Sequence, residues 1–377
     1  MDFDFTDEQN MLRDSVRKFV QKSYPIDARR ALLKSELGFS RDNWKSFAEL
    51  GWTALPFSEE DGGLGGSAID TMIILEELAK GLVLEPYLAT VVYAGGLLRR
   101  AGDAVRKQHL AGIIEGTTIA TVAHAEPESR FDLSRVATTA KKDGSGYVLD
   151  GRKVAVLAGH AADLVIVPAR TSGNVGDKSG ITLFVVDGKS SGLSRRGYPT
   201  VDGLRVADLT LAGVKVAADQ IIGEVDQGFT LLDQATDEAI VALGAEAVGV
   251  MEVLYKSTVE YTKERKQFGV PISSFQVLQH RMVDQFMHYE QAKSLLYQAT
   301  MTQAAGRPLG RAASGLKVQL GRSGRFVGQA AIQNHGGMGM TEELAVSHFF
   351  KRISTIDLLF GNSEYHLDRY TALSASA

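Results

Sequence analysis

The chain has 377 residues, 44% hydrophobic and 23% charged, with a formal net charge of −4. That length suits two or three cores at about 100–200 residues each, and the near-balance of charge excludes the basic surface that nucleic acid or an anionic membrane would require. With no cysteine at all, disulfides, thiolate metal sites, iron–sulfur clusters and cysteine nucleophiles are ruled out.

The opening "MDFDFTDEQN" is acidic and carries neither a basic leader nor an apolar signal core, so the reading expects no export and a cytoplasmic protein. The longest apolar run, Ala239 to Met251, is broken by Glu246 and falls short of the roughly 20 residues of a spanning helix. No membrane insertion and no nucleic-acid partner are expected.

Residues 1–116 read as helical. Thr6 and Gln9 have capping-box spacing, and Met11, Val16, Phe19 and Val20 follow near helical period. "PFSEEDGGLGGS" reads as a Gly-rich loop before a helix striped by Met72, Leu75 and Leu78. From 117 to 225 the pattern changes to short β-rich runs between turn signals, such as "ADLVIVPAR", "GITLFVVDG" and "VADLTLAGVKV". No helical stretch separates them, which predicts an antiparallel β-domain rather than βαβ units. From 226 to 377 long helical patterns return, at about 228–265, 274–305, 310–334 and 342–359, and predict a four-helix bundle with a frayed tail, "LSASA". The class is therefore α+β: a helical domain, a β-domain, then a helical bundle.

"IQNHGGMGMTEE", Ile332–Glu343, joins the third and fourth of those helices. Its glycines suit an interhelical turn. They equally suit a backbone laid open to an anionic ligand at a helix start. Composition does not choose between the two.

"ERKQFG" at the end of the first long helix, "SSFQVLQH" opening the second and "IQNHGGMGM" between the third and fourth together resemble the acyl-CoA dehydrogenase family. The resemblance covers the whole chain, adding "SEEDGGLGGS" with "ILEELAKG", "AEPESRFD", "DGRKVAVLAG" and "FGNSEYH". It implies FAD, an acyl-CoA substrate and an electron-transferring flavoprotein as acceptor. It also implies that the ADP half of each flavin reaches a neighbouring subunit.

Matched residue by residue, Arg265 falls on the arginine that meets the flavin pyrophosphate, where a rigid fork of donors suits phosphate oxygens. Phe268 and Gln276 fall on adenine-side positions, and Gln333, Gly336 and Gly337 on the loop beside the pyrophosphate and ribityl chain. Ser363 is counted with these flavin residues. The positions for the chain's own flavin depart from the pattern. In the first flavin loop Glu126, Pro127 and Asp132 remain, but Ala125 stands for threonine, and Arg130 and Phe131 for glycine and serine. In the second, Ala155 and Leu157 replace the tryptophan and threonine.

The family's base is a glutamate in Glu-Gly-Thr, and the match here reads Gly361, Asn362 and Ser363. The alternative base position on the first bundle helix falls on Ala239, with Glu238 turned from it by about 100°. Glu246 is a weak second candidate, with a structural reading as partner of Arg281, Arg322 or Arg325. The resemblance is thus to the base-lacking subunit of a heteromer, beside a second subunit that carries the glutamate. Such enzymes act on bulky or dicarboxylic CoA thioesters in fatty acid or steroid side-chain β-oxidation. Three alternatives stand: a self-sufficient homo-oligomer using Glu246 or Glu238, a flavin monooxygenase on the same fold, and a silent scaffold.

Overall fold

The computed structural model describes residues 4–375. Helix α1 (Asp7–Ser23) begins in the expected capping box: Thr6 Oγ1 accepts from Gln9 N, and Gln9 Oε1 from Thr6 N. Val16 and Val20 are its buried residues, whereas Met11 is 66% exposed and leaves the predicted stripe. Then come α2 (Ile26–Leu33), α3 (Arg41–Glu49), α4 (Ala68–Ala79), a π-helical turn (Leu88–Ala94) running into α5 (Gly95–Leu98), and α6 (Asp103–Ile114).

Packing sorts the chain into two compact units. One takes the chain up to Ala31, Ala68–Val83 and everything from Ile240 on; the other takes Leu32–Ser67 and Leu84–Ala239. Helices of the first third are therefore divided between them.

The second unit contains an eight-stranded sheet: β1 (Ala120–Val122), β2 (Thr139–Asp143), β3 (Gly146–Leu157), β4 (Leu164–Arg170), β5 (Ile181–Asp187), β6 (Leu193–Pro199), β7 (Arg205–Ala217) and β8 (Ile221–Ile222). The order is β6-β7-β3-β2-β4-β5-β8, antiparallel except where β4 meets β1 and, at one residue pair, β2. Alternating apolar residues close its core, among them Leu149, Val165, Val167, Phe184, Leu209 and Val214, as period-2 patterning requires. The β3–β7 ladder slips between Lys153 and Val156, a bulge inside "KVAV".

The first unit is built on long helices: α7 (Gly228–Glu264, from Ile240 on), α8 (Gln276–Ala304), α9 (Gly310–His335), α10 (Ala345–Leu358) and α11 (Ser363–Ala375). Helix α9 packs against α8, α10 and α11. Its close approaches rely on small residues, with Gly324 and Gly328 facing Ile353 and Phe350 of α10. Two elements depart from the sequence reading. A two-stranded hairpin, β9 (Lys266–Gln267) with β10 (Val270–Pro271), separates α7 from α8. The tail expected to fray is helical through Ala375, as the end of a fifth helix, while Ser376 and Ala377 lie outside the described residues. Among the described residues no helix is long and apolar enough to cross a membrane.

Candidate functional site

Where α7 ends, the backbone N–H of Arg265 still bonds to Tyr261, and Ile272 N returns to the Arg265 carbonyl at 2.8 Å, closing the hairpin. The turn is Phe268-Gly269, both at positive φ (+54° and +80°), as two-residue hairpins of this hand demand. A phenylalanine takes that conformation at a cost, yet Phe268 is 92% exposed and its ring meets that of the less exposed Phe275 edge-on at 6.1 Å. The Arg265 guanidinium is exposed and bonded to nothing among the described residues. Gln276, exposed, opens α8, whose N-terminus has no side-chain cap and so leaves amide donors open. Along α8 the exposed face also carries Val277, Val283, Phe286 and Met287.

The far end of α9 comes to the same place. His335 stacks on Tyr261 with ring centroids 4.4 Å apart, which joins the Gly-rich turn to the end of α7. Gln333 is exposed. Gly336 has φ +59° and ψ −141°, a combination essentially reserved to glycine, and nothing lies within 4 Å of where a Cβ would stand on Gly336 or Gly337. The structure thus gathers Arg265, Gln333, Gly336 and Gly337 at one end of the unit, with Phe268 and Gln276 on the adjoining hairpin and helix start. The Gly336 N–H donates to the Gln333 carbonyl, and the space beside both glycines is open.

Ser363 is placed differently. Its hydroxyl donates to Asp357 Oδ1 at 2.8 Å, inside the anchor of the loop that follows α10. In that loop Gly361 has φ +108°, and a Cβ there would lie 2.6 Å from Tyr365 Cδ1 and 2.8 Å from His366 Nε2. No glutamate fits on this backbone at 361. Gly361, the expected base position, thus carries no carboxylate, and neither does Phe360 before it.

Neither weak carboxylate candidate is free. Glu246 makes a two-point ion pair with Arg352 of α10, at 2.6 and 2.8 Å. The arginine is thus not Arg281, Arg322 or Arg325, as the sequence suggested; Arg352 reaches across from a helix 106 residues away. In the second unit Glu238 is held by Arg99 at 2.7 Å and by Arg100 at 2.5 and 3.2 Å. Carboxylates so engaged are poorly suited to taking a carbon-bound proton.

The two loops matched to the chain's own flavin lie in the second unit, fixed by charges the sequence reading overlooked. Glu126 accepts from Ala137 N (2.7 Å), Thr138 N (3.1 Å) and Lys153 Nζ (2.6 Å), and that fully buried lysine also donates to Pro168 O (2.7 Å). Burial pushes the Glu126 carboxyl up, but Lys153 and these donors leave it below its ordinary range. Arg130 sits at φ +47°, where the family's glycine would rest without strain. Ala155 is also left-handed, at φ +50°, at the crest of the β3 bulge. Its amide donates to Asp208, which also receives Tyr198, Arg152 and Arg196. Against the pull of burial, these partners lower the Asp208 carboxyl to about 2. The signal for Lys153 was a charged residue at an inward position of an alternating strand.

Comparison with known proteins agrees with this architecture. Three family models match in succession: the acyl-CoA dehydrogenase N-terminal domain over residues 6–117, the middle domain over 121–214 and the C-terminal domain over 226–372. A probable acyl-CoA dehydrogenase of Bacillus subtilis, YngJ, is 31% identical over 97% of each chain. Butyryl-CoA dehydrogenase from Megasphaera elsdenii superposes with a TM-score of 0.92 over 100% of both chains, at 27% identity. A chain of the ChsE4–ChsE5 complex from Mycobacterium tuberculosis gives 0.91, again over 100% of both, at 26% identity.

Proposed function

The chain belongs to the acyl-CoA dehydrogenase family, and from that premise we propose that it works as the partner-dependent subunit of a heteromeric, FAD-containing acyl-CoA dehydrogenase. As a family member it is an oxidoreductase whose cofactor is FAD. One observation carries the finer reading: its flavin-lending residues are exposed and unengaged, while the loop after α10 offers no carboxylate. Arg265, Gln333, Gly336 and Gly337 would meet the pyrophosphate and ribityl side of a flavin seated in the neighbouring subunit, with Phe268 and Gln276 toward its adenine. The N-terminus of α8 would add uncapped amide donors.

FAD accepts the β-hydride of the acyl-CoA when bound. What this chain lacks is the group that takes the α-proton. Neither Gly361 at the expected base position nor Phe360 beside it has a proton acceptor, Glu246 is committed to Arg352, and Glu238 to Arg99 and Arg100. In this reading the glutamate base belongs to the second subunit; a chain of the same fold is found in a complex of two named proteins, ChsE4 and ChsE5. An electron-transferring flavoprotein would take the electrons.

The test is flavin content. Purified alone, the chain should be nearly colourless; co-purified with a second, glutamate-bearing chain of the family, it should carry about one FAD per pair. Stoichiometric FAD with substrate bleaching in a homo-oligomer of this chain would establish the self-sufficient reading instead.

A further inference from the structure

Lys317 on α9 is fully buried, and carbonyl oxygens, not carboxylates, receive its donors. Its Nζ lies 2.9 Å from Ile356 O, 2.8 Å from Asp357 O and 2.6 Å from Gly361 O. The first two belong to the last turn of α10, whose carbonyls have no donor within the helix. The third belongs to the loop beyond it. Three N–H bonds meet three acceptors, so one side chain ties the end of α10 to the loop.

The loop needs a tie. Phe360 and Gly361 are left-handed in succession, at φ +58° and +108°, a path that its own residues do not favour. Other bonds finish the anchor from the α11 side. His366 Nε2 meets Phe360 O at 2.9 Å, and Asn362 Oδ1 accepts from Tyr365 N at 3.0 Å.

We propose that Lys317 is the positioning residue that sets the conformation of the Leu359–Asn362 loop, and through it the wall this loop gives to the acyl-CoA site. The second half rests on the functional reading above; the first does not.

A lysine that merely filled space would be replaceable by methionine. A lysine that holds three carbonyls would not, and its protonation would be coupled to the loop. The charged groups around it are Asp357 at the end of α10 and Arg369 of α11; His366, which like Arg369 reaches the Ser314 hydroxyl, is lowered by burial to about 4 and is neutral here. Burial, opposed by the Asp357 carboxylate, brings the Lys317 ammonium down to about 7. Opening the loop rehydrates the amine and returns it toward its ordinary value, so the open state binds more protons above pH 7. Raising pH from 7 to 9 must then favour the closed loop.

The experiment is hydrogen exchange of the assembled protein, corrected for intrinsic rates, on wild type and Lys317→Met. Protection of amides 359–366 should fall at least about tenfold in the variant, the scale of losing a charge-assisted hydrogen bond, while α8 amides keep theirs. In wild type that protection should rise from pH 7 to 9, and in the variant it should stay flat. Unchanged loop protection in the variant, or a loss spread evenly over α8 to α11, would overturn the assignment. If the variant does not fold, Lys317→Gln, which keeps two N–H donors, takes its place, and unchanged protection of amides 359–366 in it counts against Lys317. Acyl-CoA affinity of the complex separates the two halves: a loosened loop with unaltered affinity removes the loop from the acyl site and leaves Lys317 its role.

Discussion

The two flavin-related regions of this chain treat their polar groups in opposite ways. In the helical unit the Arg265 and Gln333 side chains are exposed, and the space beside Gly336 and Gly337 is open. In the β unit groups of the matching loops are spent on the fold: Glu126 is consumed by Lys153 and two amides, and the Ala155 amide by Asp208. A group left unsatisfied at a surface is available to a ligand, whereas one tied to its own fold contributes stability instead. The contrast is between polar groups left open and polar groups spent on the fold, and the glutamate of "EP" is of the second kind.

The largest effect that could break the contrast is Lys153→Met. It leaves the buried Glu126 carboxylate without its cation, and urea unfolding should show a loss of about 3–5 kcal/mol. A loss under about 1 kcal/mol would mean the first flavin loop is not anchored as described. Next is Arg265→Ala. Flavin titration of the complex should show about 1.5–3 kcal/mol weaker binding, with the chain's own unfolding midpoint unmoved. Unaltered flavin affinity would return Arg265 to being an ordinary surface charge.

Glu246→Gln sharpens the question of the base. Single-turnover bleaching of the flavin by substrate should stay within a few-fold of wild type at equal FAD content. A fall toward the roughly 10²–10⁴ expected for a lost general base would make this chain catalytic in its own right. The smallest effect is on stability in Phe268→Ser. The residue is 92% exposed, so unfolding should move by no more than about 0.5 kcal/mol, while flavin retention or assembly with the partner weakens. Loss of neither would leave the hairpin tip without a function.

The sequence made these regions legible to different depths. The Thr6–Gln9 cap, the shift from helical to alternating patterns and the long bundle helices were all readable, because each is written in residues a few places apart. Helix α11 escaped: "SEYHLDRYTALSA" buries only His366, too little for a stripe. The partner of Glu246 escaped for another reason. Several arginines sit on the bundle, and only three-dimensional packing selects Arg352 across 106 positions. That Gly361 has no room for a side chain was likewise hidden, because its backbone angle and its neighbours Tyr365 and His366 are set by the fold. Lys317 went unremarked, as one lysine among the 41 basic residues.

The outward face of α8 has a bearing on the life of the chain before it reaches its working state. Val277, Val283, Phe286 and Met287, with Phe268 and Phe275 beside them, form an adhesive strip on a newly folded subunit. Every copy made in excess of whatever covers that strip is a candidate for clumping or for capture by chaperones and proteases. The same exposed face that invites a cover would thus mark any copy left without one for removal.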